Sequence, residues 1–175
     1  MNHQPQPPNP KIYVLLLKQD DPRKCTAAKL AKFRLAIPIF RTRQIPGKAI
    51  ALNPFASRIL LPSDNLLAEK NGVVAVECSW EKVENVFTIQ SRGEPRRLPP
   101  LLASNPVNYA KVHKLSSAEA LAAALYIMGF KHTATQLLSL FKWGNTFFTL
   151  NSELLGAYRK VVTEEDVMQV QASFF

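Results

Sequence analysis

Val73-Val74-Ala75-Val76-Glu77-Cys78-Ser79-Trp80 is the stretch whose reading decides the fold class. Four small or β-branched apolar residues follow the turn signal Asn71-Gly72 and predict a buried strand. Ser79 is placed to cap a helix that begins at Trp80. Upstream, Ile12 to Leu17 predicts another buried strand, and Ala49 to Leu52 a short one that ends at Asn53-Pro54. Between them Asp21-Pro22-Arg23-Lys24-Cys25-Thr26 is a polar turn, with Thr26 as the expected cap of a helix from Ala27 to about Phe33. Pro38 and Pro46 argue against a long helix in the segment that follows. Leu61-Pro62-Ser63-Asp64 is a further turn, followed by a short helix, with Asp64 read as a turn residue. Downstream, Arg92 to Arg97 reads as a basic loop.

The last part of the chain is helical. Ser116-Ser117-Ala118-Glu119 has the spacing of a capping box, and Gly129 closes that helix. An amphipathic helix is predicted from Thr133 to Trp143 with Gly144 as its stop, and a third from the cap Asn151 through Tyr158. Thr163 starts a fourth, with Glu164, Glu165 and Asp166 in the first turn, where the helix dipole favours acids. Strands and helices interleave early and helices dominate late, so the class is α/β or α+β.

A chain of 175 residues, 47% apolar, suits one domain or two small lobes on a shared core. Its net charge of +9, from 22 Lys and Arg against 13 Asp and Glu, favours a polyanionic partner, and nucleic acid is the commonest. Two distant cysteines, Cys25 and Cys78, cannot hold a metal cluster, and His3, His113 and His132 lack metal-ligand spacing. No metal is expected. No apolar stretch reaches membrane-spanning length, and Met1 to Pro10 is a polar, Pro-rich tail unlike a signal peptide, so a reducing cytoplasm is the expected location. With six glycines there is no G-x-G-x-x-G and no Walker loop. A bound nucleotide-like cofactor must therefore be held by loops of ordinary residues.

Several strings occur together in order: Asp21-Pro22-Arg23-Lys24-Cys25-Thr26, Ala51-Leu52-Asn53-Pro54, Leu61-Pro62-Ser63-Asp64 and Val76-Glu77-Cys78-Ser79-Trp80. Leu98 to Tyr109, Lys114 to Ala123 and Phe141-Lys142-Trp143-Gly144 complete the set. From about Lys11 to Tyr158 the chain resembles the small-subunit rRNA aminocarboxypropyltransferase family of ribosome biogenesis, in its short archaeal form. The resemblance implies transfer of the 3-amino-3-carboxypropyl group of S-adenosylmethionine to N3 of a hypermodified pseudouridine, with methylthioadenosine released. It also implies a SPOUT-like α/β fold with a trefoil knot, acting as a monomer on small-subunit rRNA or a pre-ribosomal particle. The division expected is a tail at 1–10, a small RNA-facing α/β part at 11–72, and a cofactor-binding part at 73–175.

Residue by residue, the resemblance implies that Thr26 contacts the amino acid end of the cofactor. Val76, Leu101 and Ser116 would hold the nucleoside through backbone groups, and Glu119 the ribose hydroxyls. Taken on its own, Glu119 reads first as the N3 residue of a capping box. Glu77 stands where the family usually has Asp, and is the candidate carboxylate to orient the base or take its N3 proton. Cys78 reads as a small buried apolar residue. Arg34, Arg41, Arg43 and Lys48, with Lys24, form the RNA-facing cluster, and Arg96, Arg97, Lys111 and Lys114 a second patch. Phe141 and Trp143 read as core. The rival readings are an RNA methyltransferase of related fold and an assembly factor that binds RNA without catalysis.

A transferase of this type must bury the methyl of the sulfonium and present the Cγ methylene, in line with the nucleophile. Trp80 is the best candidate for that apolar wall, and an indole face also favours the sulfonium charge. Trp80→Ala is expected to weaken use of the cofactor while the fold survives. Unchanged activity in that variant would remove Trp80 from the wall.

Overall fold

The computed structural model describes residues 8–18, 21–77 and 92–175. The tail residues 1–7 and the segment 78–91, which holds Cys78, Ser79 and Trp80, lie outside the described residues.

Five short strands form one parallel sheet: β1 (Ile12–Leu16), β2 (Ile37–Ile39), β3 (Ile50–Leu52), β4 (Val73–Glu77) and β5 (Glu94–Arg96), in the order β2-β1-β4-β3-β5. The run from Val73 is therefore the central strand, flanked by β1 and β3. Parallel strands covered on both faces read as unbroken apolar runs rather than as alternating ones, which is the pattern here. Val14 faces Ala75 across the β1–β4 pair, and Leu15 faces Val76. Both outer strands carry a proline at their middle position, Pro38 in β2 and Pro95 in β5. A residue without an N–H is tolerated only where one side of the ladder is unpaired. That is why the stretch from Arg92 to Arg97, predicted as a loop, contains an edge strand.

On one face Ile12, Val14, Val73 and Ala75 pack with α1 (Thr26–Lys32) and with α3 (Ser117–Ile127). Helix α3 is apolar nearly all round, as a helix inside a core must be. On the other face Leu15 and Val74 pack under Ile39, Ile45 and Ala49, so the crossover from β2 to β3 serves as a lid for the sheet. Helix α2 (Asn65–Asn71) leads into β4. Helices α4 (Lys131–Leu138), α5 (Gly144–Leu150), α6 (Ser152–Tyr158) and α7 (Glu164–Phe174) build outward from α3. Tyr158 is fully buried, its hydroxyl donates to Pro100 O at 3.0 Å, and burial pushes its phenol up to about 12.

Three local expectations are corrected. Thr26 does not cap α1: Cys25 does, its Sγ accepting the Ala28 N–H at 3.3 Å. Thr26 Oγ1 instead accepts the Ala118 N–H in the first turn of α3 at 3.2 Å, joining two helices that are distant in sequence. The helix predicted from Thr133 to Trp143 ends at Leu138, and Gly144 opens the next helix instead of stopping the last one. Close approach demands that glycine, because a Cβ there would lie 1.9 Å from Leu138 O. Asn151 precedes α6 but its side chain caps nothing. It accepts from Leu102 N and donates to the carbonyls of Leu102 and Phe147, at 2.8 to 2.9 Å.

Asn151 is 1% exposed and acts as a surrogate strand partner for Leu102. Asn151→Ala leaves two backbone groups of Leu102 without that partner, and each such group costs about 1–3 kcal/mol. Urea denaturation is expected to show a loss of about 3 kcal/mol. A loss under about 1 kcal/mol would mean that Leu102 finds other partners.

Candidate functional site

Ligands of open parallel sheets settle beyond the carboxyl ends of the strands, where loops from neighbouring strands diverge. A cavity of about 920 Å³ opens there. Leu52 ends β3, and Ala75, Val76 and Glu77 end β4; all four line it. Leu98, Pro99, Leu101 and Leu115 add apolar wall. Lys24, Thr26, Ser116 and Ser117 add polar groups. A cavity that combines apolar wall with a few polar groups suits a ligand with a planar ring system and charged groups.

The geometry of the cavity rests on a carboxylate behind it. Glu119, in the first turn of α3, is fully buried. Its Oε1 accepts from Ser104 N (2.6 Å), Ser104 Oγ (3.1 Å) and Asn105 N (3.1 Å), and its Oε2 from Asn105 Nδ2 (2.8 Å) and Ser116 N (2.8 Å). Glu119 thereby completes the capping box with Ser116 and fastens the Ser104-Asn105 loop to the same helix end. A carboxylate offers about four lone-pair positions, and five donors occupy them. Glu119, expected at the ribose, is not among the residues that line the cavity; it positions Asn105 and Ser116, which are.

Thr26, Val76, Leu101 and Ser116 all line the cavity, as does Glu77. Glu77 is 3% exposed, and its Oε2 accepts the Leu17 N–H at 2.9 Å just past the end of β1. The Val76 carbonyl receives Ser117 Oγ at 3.5 Å, which ties the end of β4 to the start of α3. Trp80 lies outside the described residues. Phe141 and Trp143, expected in the core, are half-buried, stack at 4.8 Å between centroids and line the cavity, with Lys29 Nζ 4.9 Å from the Phe141 ring.

Among the basic residues, Lys24 is exposed at the cavity edge, and Arg34, Arg41, Arg43 and Lys48 are exposed elsewhere on the surface. Arg96 departs from expectation. It is 4% exposed and locked to Asp64, Nη2 to Oδ1 at 3.1 Å, and such an ion pair is unavailable to phosphate. Asp64 is thus more than a turn residue, for it also accepts the Leu61 N–H. Arg97 lines the cavity and donates to the carbonyls of Ala56 and Ser57. His113, also in the lining, is held below the usual imidazole range by partial burial and by Arg97 beside it. Asp21 is held below the usual carboxylate range by its bonds from Arg23. Asn105, His113 and Lys29 had no assigned role at the level of sequence. The one signal for Asn105 is its place before Pro106, within a turn-rich segment.

Fold and site define a parallel α/β protein with a small-molecule cavity at the carboxyl ends of its strands. The chain belongs to the ribosome biogenesis protein family, whose C-terminal model matches residues 50–175. It is 41% identical over 165 residues to the 16S rRNA aminocarboxypropyltransferase of Methanosarcina mazei, covering 93% of this chain and 94% of that protein. It is 40% identical to the protein of the same name from Methanocaldococcus jannaschii, covering 94% and 96%. Among solved structures it is similar to the SAM-dependent rRNA:acp-transferase Tsr3 from Vulcanisaeta distributa, with TM-score 0.86, 40% identity, and coverage of 94% of this chain and 88% of that one.

Glu119→Gln replaces one acceptor oxygen with an NH2 group that must face N–H donors. Hydrogen bonds to a charged acceptor are worth about 1.5–3 kcal/mol each, so the variant is expected to lose about 3 kcal/mol in chemical denaturation. A wild-type denaturation curve would show that the five donors do not depend on the charge.

Proposed function

We propose that the chain transfers the 3-amino-3-carboxypropyl group of S-adenosylmethionine to small-subunit rRNA, at N3 of a hypermodified pseudouridine, and releases methylthioadenosine. The observation that carries this reading is the agreement of cavity and kinship. The residues matched to the cofactor contacts, Thr26, Val76, Leu101 and Ser116, converge on one cavity, in a chain about 40% identical to named aminocarboxypropyltransferases over most of its length.

The cavity fits such a cofactor. Leu52, Leu98, Pro99 and Leu101 offer apolar surface for an adenine, and Lys24 and Thr26 offer a cation and a hydroxyl for an amino acid carboxylate. S-adenosylmethionine supplies a sulfonium with three electrophilic carbons. The protein selects among them by position, since an in-line arrangement with the nucleophile is worth several orders of magnitude in rate. The family resemblance assigns to Trp80, outside the described residues, the role of burying the methyl. Glu77, fixed by the Leu17 N–H, orients the base at N3 and is placed to take its proton. Lys24, Arg34, Arg41, Arg43, Lys48 and Arg97 hold the RNA backbone. Glu119 acts at one remove, by shaping the loop at Asn105.

In this reading residues 11–72 present most of the RNA-facing cations and share the cofactor cavity with residues 73–175, the fold is SPOUT-like with a trefoil knot, and the chain works as a monomer on a pre-ribosomal particle in the cytoplasm. The parallel sheet, the cavity at its carboxyl ends and the scarcity of glycine support the fold. The family resemblance supports the rest. No described helix is long and apolar enough to cross a membrane.

The test incubates the protein with unmodified and N1-methylpseudouridine-bearing small-subunit RNA and S-adenosylmethionine labelled in its carboxyl carbon. A parallel reaction carries the label in the methyl. Carboxyl label in RNA without methyl label is the expected result. Methyl label alone would make the chain a methyltransferase. Neither label on either RNA would leave an RNA-binding assembly factor.

A further inference from the structure

Between residues 22 and 63 there are nine Lys and Arg and no Asp or Glu, so this segment alone carries a charge of +9, the whole surplus of the chain. The exposed edge of the sheet, β2, lies inside it. Helix α1 connects two adjacent parallel strands, β1 and β2, and so runs opposite to them. Its last turn therefore reaches the amino end of β2, and Phe40 and Arg41 follow the carboxyl end, the end of the sheet where the cavity opens. Along this edge Phe33 is 52% exposed, Ile37 44% and Phe40 53%. Lys32, Arg34, Arg41 and Arg43 are exposed between and beside them. An apolar sheet edge invites pairing with another strand, and Pro38 with the flanking cations guards against that. Neither explains why two large rings stand in water. Rings interleaved with cations, in a segment with no acid, match the bases and phosphates of a single nucleic acid strand.

A second observation points to the same place. Arg34 has φ +58, in the left-handed region. The Leu35 N–H reaches Leu30 O at 2.9 Å, and the Arg34 N–H reaches Ala31 O at 3.0 Å. Helix α3 ends in the same motif, with the Phe130 N–H on Leu125 O at 2.8 Å and the Gly129 N–H on Tyr126 O at 3.1 Å. There the left-handed residue is Gly129, φ +97. Glycine takes this conformation freely and an arginine takes it at a cost. At the end of α1 the chain keeps a strained arginine where glycine would be more stable. Strain held against stability is a mark of function.

We propose that the β2 edge, from Phe33 and Arg34 to Phe40 and Arg41, binds an unpaired segment of the RNA substrate, with bases stacked on the two rings and phosphates on the arginines. This rests on the reading that the substrate is RNA, and it adds that the RNA contacts the protein as an open strand beside the modified nucleotide. Stacking on a phenylalanine needs a free base face, which a duplex conceals. The strand then passes the carboxyl end of β2 toward the cavity.

The test measures fluorescence anisotropy of a labelled oligouridylate, alone and annealed to oligoadenylate, at several salt concentrations. The wild type is expected to bind the single strand more tightly than the duplex. The Phe33→Ala, Phe40→Ala double variant should lose about tenfold or more in single-strand affinity with the salt dependence unchanged, because stacking releases no counterions. Phe40→Trp should keep single-strand binding and show indole quenching on addition of RNA. Arg34→Gly should weaken binding, lower the slope of log affinity against log salt by about 0.7 for one lost phosphate contact, and raise the melting temperature. Unchanged single-strand binding in the double variant, or equal affinity for duplex, overturns the proposal and leaves aminocarboxypropyl transfer untouched. A wild type that binds neither oligomer also overturns the proposal, and the labelling experiment decides aminocarboxypropyl transfer separately. Self-association of the protein that the same double variant relieves, with RNA binding unaltered, also overturns it.

Discussion

One buried carboxylate organises the site. A charge is costly to bury unless hydrogen bonds replace its hydration, and Glu119 is surrounded by donors from two separate segments, residues 104–105 and 116. It also sits in the first turn of α3, where the helix dipole favours an anion. Those donors are fixed by the same interactions that satisfy Glu119, so loop and helix hold each other in place. Thr26 adds the third attachment, from α1 to Ala118. Among the described residues the cavity lies between segments joined in this way.

This arrangement explains how a chain with six glycines makes a cofactor-sized site without a glycine-rich phosphate loop. The usual solution brings backbone close to a pyrophosphate. Here leucines and prolines form much of the wall, and the hydroxyls at the start of α3 stand among the polar groups. The central strand supplies the rest. Its end carries Val76 and Glu77 into the cavity, and the neighbouring strand holds the Glu77 carboxylate through Leu17 N–H. Chemistry of this kind needs position more than reactivity, and the structure invests in position.

The central strand, the capping box at Ser116 and the acidic start of α7 were legible because each depends on residues close in sequence. Glu119 shows the limit. Its spacing from Ser116 identifies the cap, but its bonds to Ser104 and Asn105 depend on a loop that only the tertiary fold brings near. Thr26 and Asn151 fail as sequence-level caps for the same reason: their side chains are taken by Ala118 and Leu102, far along the chain. Arg96 looked like its neighbours in a basic run, and burial against Asp64 cannot be read from charge. The strand at Glu94–Arg96 was hidden by its proline, which an edge position permits.

Hydrogen exchange with and without S-adenosylmethionine tests most directly whether this cavity is the cofactor site. The expected result is slowed exchange in the amides around Thr26, Leu52 to Asn53, Val76 to Glu77, Leu101 to Asn105 and Leu115 to Ser117, with α7 and the β2 edge unaffected. Protection concentrated on α7 or β2, or spread evenly over the chain, would contradict it and move the cofactor elsewhere.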